Sequence, residues 1–145
     1  MAAVCAIVTA VGICACASAP GGPAGEFAES LRSSRSAVLT AAWGIDEWNQ
    51  RNLLRPTARV VLDDAVSHAL EAQGIIVALK VESADDERVR ARVHAALASS
   101  VEAAVEARGV LLGDPGSAAA KSAQRRLERV ASGLDTLSED VSGGR

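Results

Sequence analysis

His68 and His94 are the only histidines in the 145-residue chain, and imidazole is the side chain whose unperturbed charge changes near neutral pH. Asp64 lies four residues before His68 and Glu71 three after it, spacings that put the three on one side of a helix. An Asp-His-Glu trio has donor types that suit a metal ion or proton transfer. A dinuclear carboxylate site in a helical bundle would need a Glu-x-x-His pair on each of two helices, and the sequence contains none. A surface histidine flanked by acids accounts for the same spacing, so no metal or other cofactor is expected.

The second unusual stretch is Ala42-Trp43-Gly44-Ile45-Asp46-Glu47-Trp48, which holds two of the three aromatic residues of the chain. Five residues separate the tryptophans, about 140° around a helix, so both cannot lie on one core line. Trp48 continues the stripe Phe27, Leu31, Val38, Ala41, Ile45, which leaves Trp43 on a flank beside Gly44, Asp46 and Glu47. An exposed tryptophan with adjacent acids suits a partner surface, because large aromatic anchors dominate interface energies. The competing arrangement is a wide helix face that buries both rings. Asp46 and Glu47 are neighbours and point apart, so they form no catalytic pair by themselves.

No GxSxG, Walker A, GxGxxG, HExxH or CxxC pattern occurs. Net charge of −3 argues against nucleic acid as a partner, because that function needs a concentrated basic surface. Lys121, Arg125, Arg126 and Arg129 do form a short basic run. It would lie near anionic headgroups if the domain sat on a membrane, or form a solvated face whose arginines pair with acids of other helices. The acids Asp85, Asp86 and Glu87 lack the spaced oxygen ligands of a calcium loop.

All charge begins at Glu26, so an uncharged leader precedes a charged domain of 120 residues. The leader carries Cys5, Cys14 and Cys16, the only cysteines. Residues 1–19 approach the ~20 apolar residues of a membrane span, yet they are mostly Ala, Val, Cys, Gly and Thr, which favour insertion weakly. Ala15-Cys16-Ala17 and Ala17-Ser18-Ala19 offer small-residue cleavage sites of a secretory signal, of which the first avoids leaving Pro20 at the new terminus.

Ile13-Cys14-Ala15-Cys16 resembles the lipobox of bacterial lipoproteins, in which an aliphatic residue, a tolerant position and a small residue precede the lipidated cysteine. The resemblance covers those four residues and the apolar run before them. It departs from the pattern in having Cys14 where Ala, Ser or Thr is usual, and in having no Lys or Arg ahead of the apolar run. It implies cleavage before Cys16, lipid on that residue, and a place on the outer face of the cytoplasmic membrane. Residues 17–25, rich in Pro and Gly, are expected to be a flexible tether. Cleavage without lipid would give a secreted protein, and no cleavage a single-span anchor.

Thirty alanines, no tyrosine and three aromatic residues favour helices over a sheet. Arg55 before Pro56 sets the end of helix 1 at about Leu54, and Pro56 suits the first turn of helix 2. Leu62, Ala65, Ala69, Ala72, Ile76 and Leu79 form the seam of helix 2, and Val66, Leu70, Val77 and Val81 widen it, so helix 2 is expected to be the most buried. Ser83 reads as an N-cap with acids in the turn after it, which starts helix 3. Helix 3 should stop at Gly109 or Gly113, the turn Gly113-Asp114-Pro115-Gly116 follows, and Ser117 caps helix 4. Residues 142–145 should fray.

Four helices of similar length joined by short turns predict an all-α, antiparallel up-down four-helix bundle over residues 26–141. A rod merging helices 2 and 3, giving a three-segment coiled coil, is the alternative. The expected function is non-catalytic: an exported, membrane-tethered interaction module meeting an envelope protein or the membrane surface, with Trp43, Asp46 and Glu47 as the contact. A single-span sensor or assembly subunit is a second class, and an exported metal binder or enzyme using His68 a third.

Overall fold

A computed structural model describes residues 22–143 of the chain as four helices, α1 (Pro23–Asn49), α2 (Arg55–Ala78), α3 (Ala84–Val110) and α4 (Ala118–Gly143). Consecutive helices run antiparallel and pack side by side, α4 returns to α1, and the result is the up-down four-helix bundle. A merged α2–α3 rod is ruled out by residues 79–83, where the chain is not helical and Leu79 is extended. The cap at this break is the expected one: Ser83 Oγ accepts from the Asp86 N–H at 3.0 Å and donates to its carboxylate at 2.7 Å. Arg90 reaches back to the Leu79 carbonyl at 2.9 Å, satisfying a backbone oxygen that α2 leaves open at its end.

Helix α1 ends at Asn49, five residues before the expected limit. A proline restricts only the residue before it and so gives an upper bound. The actual stop is a C-terminal motif in which Asn52 N–H donates to the Glu47 carbonyl at 2.8 Å and Arg51 N–H to the Trp48 carbonyl at 3.0 Å. Arg51 takes the left-handed position of that motif, φ 64°, where glycine is usual. At its other end α1 begins at Pro23, so residues 23–25 are the first turn of the helix and not part of a tether. Ser142 and Gly143 likewise continue α4.

The core runs along the bundle axis, with Phe27, Leu31, Val38, Ile45 and Trp48 from α1 meeting Leu62, Ile76, Val93, Leu97, Leu127 and Leu134. Each such side chain contributes about 1.5–3 kcal/mol on leaving water. Alanines fill most of the remaining inward positions and let the helix axes approach. At Gly44 a side chain would obstruct the packing of α1 on α2: a Cβ there would stand 2.9 Å from Val61 Cγ1.

The most buried helix is α1, not α2: twelve of its residues are buried against seven in α2. It packs against all three others, including α3 across the diagonal, whereas α2 and α4 do not meet. The sequence pattern hid this because α1 turns Ser30, Ser34 and Gly44 inward along with its apolar residues. In α2 the expected widening residues divide, with Val66 buried and Leu70 and Val77 exposed.

The two ends of the bundle differ. Residues 50–54 and 111–117 share one end, where Arg55 donates to the Gly113 carbonyl at 2.9 Å and the Gly116 N–H donates to Asn49 Oδ1 at 3.0 Å. Gly22, the turn 79–83 and the end of α4 share the other.

Candidate functional site

Trp43 and Trp48 occupy opposite environments. Trp48 is 2% exposed and closes the core beside Ile45, while Trp43 is 52% exposed. The helical period that carries the stripe inward carries Trp43 outward, and Trp43 with Arg35, Ser36, Leu39 and Thr40 lines a surface hollow of about 320 Å³. Leu39, four residues earlier, is also exposed, so this face of α1 presents an aromatic ring next to an aliphatic side chain. Arg35 is held at the rim by Asp135 of α4, 3.2 Å from its Nε.

Asp46 and Glu47 are half-buried near the α1 terminus. Gln50 Nε2 donates to Asp46 Oδ2 at 2.8 Å, while the Glu47 backbone carbonyl takes the closing bonds of the helix. Neither acid lines the hollow of Trp43. Gly44, placed by the sequence on the flank beside Trp43, is instead a packing residue against α2. Spacing alone could not tell the two roles apart, because close approach depends on where α2 crosses.

The acid-histidine trio is only partly assembled. His68 Nδ1 lies 3.7 Å from Glu71 Oε2, with both side chains largely in solvent. Asp64 and His68 line an open groove of about 600 Å³ between α1 and α2 together with Glu29, Arg32 and Thr40, and Glu71 lies outside it. Among the described residues no group of three His, Cys, Asp or Glu side chains could hold a metal ion. His94, the other histidine, stands 3.5 Å from Gln73 across α2 and α3.

Within the basic run of α4 the residues separate. Arg126 forms ion pairs with Glu102 and Glu106 of α3, as a solvated face predicts. Lys121, Arg125 and Arg129 are exposed, and Lys121 lies near the start of α4, at the end of the bundle away from Gly22.

Cys16 and the lipobox-like residues lie outside the described residues. Among the described residues no helix is long and apolar enough to cross a membrane. No family model, characterised protein or solved structure matches the chain.

Proposed function

We propose that this is an exported helical binding module, tethered to the cell envelope by lipid on Cys16, which engages an envelope protein through the Trp43 face of α1. The observation that carries this reading is the half-exposed Trp43 beside exposed Leu39 on a helix whose other large apolar side chains are buried. A tryptophan there offers a large, stiff contact area that a partner pocket desolvates at little entropic cost. Asp46 and Glu47 form the rim at the end of α1, where they favour a partner with basic groups and set its orientation more than its affinity.

A protein partner fits better than a lipid surface. The end of the bundle nearest the leader carries Glu26, Glu82, Asp85, Asp86, Glu87, Glu139 and Asp140 against Lys80, Arg88 and Arg90. Anionic headgroups would repel that end, and the basic run begins at the far one. The domain then stands off the membrane with the Trp43 face along its side.

Two experiments test this reading. Intact mass of the mature protein should give a diacylglyceryl-modified chain beginning at Cys16; a chain beginning at Met1 would end the lipoprotein assignment, and one beginning at Ser18 would make the protein freely secreted. Crosslinking capture from envelope fractions should fall at least tenfold for Trp43→Ala while the melting temperature stays within a few degrees. Undiminished capture would remove Trp43 from the contact.

A further inference from the structure

The structure carries a second surface, on the side of the bundle made by α2 and α3. Leu70 and Val77 of α2, Val105 of α3 and Leu112 in the turn that follows α3 are between 42% and 87% exposed. The register of the two helices follows from three contacts: Asp63 with Arg108, Gln73 with His94, and the Leu79 carbonyl with Arg90. That register puts Leu70 near mid-length, with Val77 on one side of it and Val105 at a similar distance on the other. The apolar positions are therefore spread about a centre and not gathered at one end.

The charges flanking this stripe have opposite sign. At the end near residues 111–117, Arg55, Arg59 and Arg108 line a hollow of about 460 Å³ together with Val105 and Leu112. Asp63 is the acid paired with Arg59 and Arg108 there, which leaves an excess of positive charge. At the opposite end Val77, Arg90 and His94 line a hollow of about 330 Å³ with Glu87, which pairs with Arg90, and the adjoining turn and first turns of α3 add Glu82, Asp85 and Asp86 against Lys80 and Arg88, leaving a small excess of acids. Arg108 and Glu87 lie 21 residues apart on α3, or about 32 Å at helical rise.

We propose that this face binds a second copy of the chain, related by a two-fold axis perpendicular to the helices near Leu70. A two-fold interface must be complementary to itself. Turning one copy end over end brings its arginine end onto its partner's acidic end, lays Val77 near the partner's Val105, and places Leu70 beside its own symmetry mate. Any parallel arrangement would set arginines against arginines. The available face is roughly 36 Å by roughly 20 Å, from helix length and diameter, close to the ~800 Å² that each partner contributes to a standard interface. Trp43 lies on α1 and stays free, so the dimer is independent of the contact proposed above. The two leaders leave from opposite ends, and both reach one membrane only when the helix axes lie parallel to it.

Sedimentation equilibrium of the full chain in density-matched non-ionic detergent, which shields the leader, tests this. The expected species has twice the 14.8 kDa chain mass. A monomer throughout the micromolar range overturns the proposal. Leu70→Glu with Val105→Glu, both at exposed positions, should weaken association by at least about tenfold, as loss of central apolar contacts does, while the circular dichroism melt is unchanged. A dimer that survives these changes with an intact melt is held by the leader or another face and overturns the assignment. Arg59→Glu should weaken the dimer about twofold to fivefold, the range of an exposed ion pair, and Glu87→Arg in the same chain should restore it; absence of rescue overturns the antiparallel arrangement. Monomeric protein that instead binds phosphatidylglycerol vesicles over phosphatidylcholine vesicles, and loses this with the same glutamates, would make the face a lipid surface.

Discussion

The inner and outer faces of α1 pose the same question with opposite answers. Trp48 and Trp43 are chemically identical, five residues apart on one rigid helix, and one lies in the core while the other is half in water. The difference is angular: about 140° of rotation separates a ring that contributes to folding from one that contributes little. On the inner face even polar side chains are recruited, since Ser30 and Ser34 are buried there. On the outer face an apolar ring is kept about half in water, where folding gains less from it. Stability therefore constrains the first face more tightly than the second.

The sharpest way to break this contrast is to truncate both rings separately. Trp48→Ala should cost about 3–5 kcal/mol in urea unfolding, the range for a buried aromatic replaced by alanine. A loss under about 1 kcal/mol would mean that the core tolerates a void beside Ile45, and that burial of Trp48 is incidental.

Gly44 tests the flank between the two faces. Gly44→Val places branched carbons where a single Cβ would already stand 2.9 Å from Val61 Cγ1, and overpacking of this kind costs about 1–3 kcal/mol. Val61→Ala in the same chain should recover part of that loss in a double-mutant cycle. Additive losses would show that the two helices separate without strain.

Smaller effects come from backbone and orphan groups. Arg51→Gly should raise the thermal midpoint by a few degrees, about 0.5–1 kcal/mol, because φ 64° strains any residue with a Cβ. Ser34 Oγ is fully buried without a hydrogen-bond partner, so Ser34→Ala should be neutral or stabilising by up to about 1 kcal/mol. A clear loss at Ser34 would reveal a hydrogen bond in solution that satisfies the hydroxyl.

Trp43→Ala should change stability least, by under about 0.5 kcal/mol in calorimetry, as for most surface substitutions. Paired with loss of partner capture, that result would complete the separation of the two faces. A cost above about 2 kcal/mol would instead assign Trp43 to structural packing against Arg35 and Leu39.

Much of the architecture could be read in advance from local chemistry. Ser83 and Ser117 act as caps because a hydroxyl before an apolar run answers open N–H groups, and the Ser117 Oγ does accept from Ala120 at 3.2 Å. The end of α1 was less legible, since the Asn49 side chain is used by Gly116 from a loop 67 residues away. The candidate site was half legible. Periodicity placed Trp43 off the core line, but whether a neighbouring helix would cover it depended on how α2 and α4 are arranged about α1.

By itself, then, the sequence determined the helical segments, their caps and the inward stripe of α1, because capping, turn chemistry and a period of 3.6 residues are all set within a few residues of chain; that residues 79–83 divide α2 from α3, and do not join them into a rod, was left to the structure. Only the tertiary structure decided that α1 and not α2 is the central helix, and that Gly44 is a contact and Trp43 a surface. Those outcomes depend on which helices touch and at what axial distance, and no spacing along one helix encodes the position of another.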